Sequence, residues 1–134
     1  MSGIEKGVRL LSCGRGQIKL GGNNISIGTP GEVNAMDSLI EIGDGCDIAS
    51  FVTITVGDSH GKCLGYVKEI EREPVFIGEH VFIGQGATIL GGTRIGHHSV
   101  IGAGVVLKGQ TIPPHSRVKV PAPIIEPGYY AQRG

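Results

Sequence analysis

Five histidines carry most of the chemistry open to this chain. His60 stands apart, in Thr55-Val56-Gly57-Asp58-Ser59-His60, just ahead of a charged stretch. Imidazole changes charge near neutral pH, so a ring here can take a proton from a reacting group. Asp58, two places earlier, could orient that ring through its second nitrogen; an Asp in Gly-Asp-Ser is more often a turn former. The other four fall into two pairs: His80 and His98 are eighteen apart, and so are His97 and His115. Zinc needs three such rings converging on one point. Cysteine adds little. Cys13, Cys46 and Cys63 are odd in number and lack metal-ligand spacing. Cys63 falls in a loop and could react, but an inert thiol is the plainer reading. Cys13 sits in a turn-like Cys-Gly-Arg-Gly run with no readable role.

The elements that must position these residues are written in sixes. Val75 to Gln110 divides into VFIGEH, VFIGQG, ATILGG, TRIGHH, SVIGAG and VVLKGQ. The third place is Ile77, Ile83, Ile89, Ile95, Ile101 and Leu107. The first is Val75, Val81, Ala87, Thr93, Ser99 and Val105, always small or β-branched. A period of six fits neither an amphipathic helix nor a long alternating strand. It predicts short strands joined by tight corners and wound as a solenoid. The first and third places point inward because successive strand residues alternate faces. Gly, Asn and Asp tolerate the positive φ that corners require. One coil cannot bury its own interior, so stability must come from stacking. The four paired histidines fall at corners, where side chains point outward. They therefore read as solvated or facing another subunit.

The period also sets the internal boundaries of one domain. Residues 1–36 hold apolar-polar-apolar triplets at uneven spacing (Val8 to Leu10, Ile18 to Leu20, Ile25 to Ile27) and read as irregular opening coils. Residues 37–56 are regular, with Ile42, Ile48 and Ile54 every six places. Cys46 falls in the small inward slot before Ile48 and reads as a buried thiol. Residues 57–74 carry no inward column and read as a loop thrown out of the coil, where binding groups concentrate on rigid scaffolds. Regular coils resume over 75–112. Residues 113–134 leave the repeat at Pro113-Pro114 and read as a strand and a Pro-rich tail that cap the end.

Composition narrows the function. Lys plus Arg and Asp plus Glu are 12 each, which argues against nucleic acid as the main partner. Aromatic residues are only 4% and glycines number 24, which suits a narrow, many-cornered solenoid better than a conventional core. No apolar run approaches the roughly 20 residues of a membrane span. The opening MSGIEKGVRL lacks a signal-like stretch, so cytoplasmic residence is expected.

The hexad column, His60 before a loop, Pro74-Val-Phe-Ile-Gly followed by Val81-Phe-Ile-Gly, and Gly102-Ala-Gly-Val-Val with Ile112-Pro-Pro together resemble the hexapeptide-repeat acyltransferases, in particular bacterial sugar O-acetyltransferases. The resemblance implies an all-β, left-handed parallel β-helix of triangular section, with one extruded loop at 57–74 and residues eighteen apart stacked. General crossover rules would have favoured the other hand. It further implies a homotrimer that completes its sites between chains, an acetyl-CoA donor, and a sugar or sugar-nucleotide acceptor in surface polysaccharide synthesis. His60 would be the general base of a direct transfer, without a Ser or Cys nucleophile. Asn34, with Asn23 and Asn24 behind it, would help hold the acceptor, although turn chemistry explains all three. CoA would lie on Gly84, Gln85, Ala103, Gly104 and Lys108, with Arg117 and Lys119 at its phosphates. The family's usual ending is small residues before a base; Val118-Lys119-Val120-Pro121-Ala122-Pro123 departs from it. Carbonic-anhydrase relatives of the fold would need a His-x4-His pair, and Gly102 and Ala103 stand five beyond His97 and His98. A zinc enzyme and a non-catalytic solenoid subunit are the alternatives. The resemblance leaves the acceptor, and O- against N-transfer, open.

Overall fold

Each hexad forms a strand of two or three residues, and every third strand returns to the same wall. The computed structural model describes residues 3–4, 8–12, 14–22 and 24–131; Cys13 and Asn23 lie outside the described residues. Three parallel sheets result. The first wall stacks Gln17–Leu20, Leu39–Ile42, Val75–Ile77, Arg94–Ile95 and Thr111–Ile112. The second stacks Gly3–Ile4, Ser26–Ile27, Asp47–Ile48, Phe82–Ile83, Val100–Ile101 and Arg117–Val118. The third stacks Val8–Leu11, Gly31–Asn34, Thr53–Thr55, Thr88–Leu90 and Val106–Lys108. The chain visits the walls in that order and winds a left-handed parallel β-helix. Ile77 pairs with Ile95 and Ile83 with Ile101, the eighteen-residue register that the hexads predict.

Inward places are filled as the spacing requires. Val75, Ile77, Val81, Ile83, Ala87 and Ile89 are all buried, and so is Cys46. Among the described residues the fully buried polar side chains are Thr93 and Ser99, both at inward places and both satisfied. Thr93 Oγ1 accepts from the Gly109 N–H, and Ser99 Oγ donates to the Pro113 carbonyl. A buried hydroxyl without a partner would be costly.

The opening segment is more ordered than its spacing suggests. Ile18 pairs with Ile40, Val33 with Ile54 and Ile27 with Ile48, in register with the walls below. These coils take more than eighteen residues because their corners are longer. The extra residues lie outside the core, so inward positions still meet, although no fixed period survives in the sequence. At the other end, Arg117–Val118 adds a last strand to the second wall. The tail beyond it leaves Ile124 and Ile125 exposed and turns on itself through Tyr129 N–H to the Glu126 carbonyl.

The loop interrupts one corner without disturbing the walls. Ile42 pairs with Ile77 and Ile54 with Ile89, so register is recovered across the excursion. Inside it, Gly57–Asp58 pairs antiparallel with Glu71–Arg72, and a short helix spans His60–Cys63. No helix among the described residues is long and apolar enough to cross a membrane.

Candidate active site

The loop leaves from the edge between the third and first walls. Lower coils turn this edge on glycine, at Gly91-Gly92 and at Gly109, which has φ +68° and open space where a side chain would project. The coil above does not turn. Its chain runs on past Thr55 as a ribbon rooted by Glu73 N–H donating to the Val56 carbonyl. The ribbon overhangs the glycine corners and encloses a cleft of about 790 Å³, lined by Asp58, His60, Glu71, Glu73, Lys108 and Gly109 among others.

Asp58 organises this cleft. Its Oδ1 accepts from the His60 backbone N–H at 3.1 Å and also holds the His60 ring through Nδ1. Its Oδ2 accepts from Lys108 Nζ at 2.7 Å. Asp58 thus bonds both the backbone of its own turn and the ring two places on. Asp58 also stands directly opposite Glu71 in the ribbon, an arrangement of like charges that is unfavourable alone. The Lys108 ammonium first, and then the two His60 donors, hold the Asp58 carboxyl well below the usual carboxylate range. The same contact raises the Lys108 ammonium above its ordinary value. A neutral imidazole whose Nδ1–H donates to a carboxylate keeps its lone pair on Nε2. The His60 side chain is 64% exposed and borders the cleft, so Nε2 is the nitrogen a substrate can reach.

The other expected site residues are distributed over several places. Asn34 ends a third-wall strand beside Thr55, and its Oδ1 accepts from the Met36 N–H. It lines a smaller cleft of about 180 Å³ under the ribbon, with Thr55, Ser59, Ile70 and Arg72. Asn24 occupies a left-handed turn position (φ 60°) on a different edge, after the first wall. Gly84, Gln85, Ala103, Gly104 and Lys119 gather at the edge between the second and third walls, with Arg117 on the second wall beside them. Lys108 does not join that group; it sits on Asp58. A Cβ on Gly84 would lie 2.6 Å from the Ala103 nitrogen, so coil stacking alone requires that glycine. Gly104 is open to solvent at φ +73°.

The paired histidines meet on the remaining edge, between the first and second walls. His80, His98 and His115 adopt φ of 52°, 56° and 61°. Their rings, with that of His97, form an exposed stack at centroid spacings of 5.0 to 5.4 Å. His97 Nδ1 and His98 Nδ1 are 3.0 Å apart, so one donates and the other must be unprotonated there. Desolvation, then the neighbouring imidazoles, lower the His98 pKa. Among the described residues no group of three or more His, Cys, Asp or Glu could hold a metal ion.

Sequence reasoning overlooked Glu71, Glu73 and the attachment of Lys108. The alternation Glu71-Arg72-Glu73 before Pro74 was the available sign of a strand with one acidic face. Cys63 also borders the cleft and is exposed, whereas burial raises the Cys46 thiol, which donates to the Gly78 carbonyl.

Comparison with known proteins agrees with this architecture. Residues 74–109 match the bacterial transferase hexapeptide family (six repeats). A protein named as a lipopolysaccharide biosynthesis O-acetyl transferase, WbbJ, from Escherichia coli K12 is 33% identical over 132 residues, covering 90% of this chain and 65% of that one. The structure of a maltose O-acetyltransferase from Clostridium difficile 630 superposes with a TM-score of 0.65 at 28% identity, covering 87% of this chain and 60% of that one. A hexapeptide-repeat acetyltransferase from Vibrio cholerae, complexed with acetyl coenzyme A, shares the fold at 24% identity and a TM-score of 0.54, covering 83% of this chain and 64% of that one. The chain spans 28% to 65% of the length of the curated relatives it matches.

Proposed function

We propose that this chain, whose residues 74–109 match the bacterial transferase hexapeptide family, moves an acetyl group from acetyl-CoA to a hydroxyl group of a sugar or sugar nucleotide. The observation that carries the reading is the imidazole–carboxylate pair at the mouth of the cleft, where the winding is interrupted. His60 Nε2 takes the acceptor's hydroxyl proton as the oxygen bonds to the thioester carbonyl carbon. A backbone N–H holds the oxyanion that forms. The C–S bond then breaks, and the imidazolium returns its proton to the sulfur, giving the acetylated sugar and the CoA thiol. Asp58 keeps the ring in the tautomer this requires.

A homotrimer belongs to the same reading. The backbone expected to lie along CoA, at Gly84, Gln85, Ala103 and Gly104, is on a different edge from His60, across the third wall. One chain does not bring the two together, whereas the matching edge of a neighbouring copy supplies the missing half. The relatives' names divide on the accepting atom: WbbJ, matched over 90% of this chain, is named for oxygen, whereas N-succinyltransferases of Xylella fastidiosa, matched over 60%, are named for nitrogen; the longer match favours oxygen. The test is release of CoA thiol from acetyl-CoA over a panel of sugars and sugar nucleotides, with light scattering on the same sample. Sugar-stimulated release by a particle of three chains is expected. Acetyl-CoA that remains intact with every sugar overturns the reading, and so does a monomer that turns over at full rate.

A further inference from the structure

The lysine expected at the CoA site stands in the cleft itself. Lys108 ends the third-wall strand Val106–Lys108; Leu90 pairs with it, and Thr55 with Leu90. Lys108 is therefore two coils removed from the point where the ribbon departs, roughly 10 Å at ordinary strand spacing. Its side chain crosses the intervening coil to reach Asp58 Oδ2 at 2.7 Å, a contact between residues 50 apart in sequence. Glycine at Gly91 and Gly109 leaves the path clear. The ribbon makes the contact necessary: Asp58 faces Glu71 across the pair, and Glu73 also lines the cleft, so three carboxylates share the space with one ammonium.

We propose that Lys108 is a positioning residue for the transfer, fastening Asp58 to the rigid coil so that the carboxylate presents its other oxygen to the His60 ring. The inference rests on the reading of His60 as the base. It assigns Lys108 to the acceptor side of the reaction and not to a CoA phosphate. Its ammonium does two things. It fixes the first residues of the extruded loop to the walls, so the ring is aimed by the solenoid and not by the loop alone. It also offsets part of the charge that Asp58, Glu71 and Glu73 gather in the cleft, so that Asp58 keeps its place opposite Glu71.

Nuclear magnetic resonance of the His60 ring Nδ1–H proton in the protein without substrates, run beside kcat and KM measurements, tests this. Lys108→Met is expected to broaden or lose that proton signal, because the carboxylate is no longer held in one place, and to lower kcat about tenfold with KM for acetyl-CoA unchanged. Lys108→Arg should restore both. In an Asp58→Asn background, Lys108→Met should add no further loss. A preserved ring signal in Lys108→Met, with a raised KM for acetyl-CoA, overturns the inference in favour of phosphate binding. A preserved signal with kcat and KM unchanged overturns it in favour of a merely structural lysine. The ring signal needs no turnover, so it decides this point even if no sugar is acetylated.

Discussion

Two edges of the same triangular coil present imidazoles to solvent, and they differ in what lies beside them. Between the first and second walls, His80, His97, His98 and His115 repeat with the winding and touch one another. Between the third and first walls, His60 occurs once, where the winding fails, and touches a carboxylate. At His98 desolvation, and after it the like groups stacked around the ring, disfavour the protonated form. The single one is held by an anion that a lysine anchors. The number of rings thus predicts little about chemistry; a proton acceptor needs an orienting partner and room for a substrate. Regular stacking provides neither, because eighteen-residue periodicity places identical groups over one another. The interrupted corner brings together residues that no repeat would juxtapose.

The largest test of this contrast is to remove one ring from each edge. His60→Ala should lower kcat/KM for the acetylated sugar by roughly 10²- to 10⁴-fold, the usual yield of a positioned acid–base group. His98→Asn should leave it within about twofold. A His60 variant that turns over near the parent rate would end the distinction. Next in size is Asp58→Asn, which keeps the shape and removes the charge. Loss of ring orientation should cost on the order of 10²-fold in kcat, with smaller change in KM. A purely turn-forming Asp58 would give a stability change and an unaltered kcat.

The core supplies a matched reference. Ile89 is fully buried in the third wall, and Ile89→Ala should destabilise by about 3 kcal/mol on thermal unfolding. The smallest effect belongs to the histidine stack. The His98 pKa is lowered in the folded chain, so the unfolded chain binds the proton more readily. Stability is then full above the ordinary imidazole range and declines as pH falls through it. Thermal midpoints measured from pH 7.5 down to 5.0 should show this decline, and His98→Asn should make it shallower, since Asn also tolerates positive φ. An unchanged slope would remove His98 from the account.

The sequence alone determined the walls, because the third place of each hexad fills the axis and must be aliphatic at a fixed interval, and nothing else produces a column such as Ile77 to Leu107. It also located the interruption at 57–74, with His60 near its start, since a missing column is as legible as a present one. It could not read the opening coils as stacked, because longer corners break the period without breaking the register of Ile18 on Ile40 or Val33 on Ile54. Asp58 was legible beside His60, but what surrounds that pair was decided by tertiary structure. Lys108 reaches Asp58 across two coils, and Glu71 faces Asp58 through an antiparallel ribbon whose register depends on loop length. Backbone periodicity is a local property that a sequence displays directly. The approach of two charged side chains distant in sequence depends on how many coils lie between them and which corners are glycine, and that emerges only when the coils are stacked.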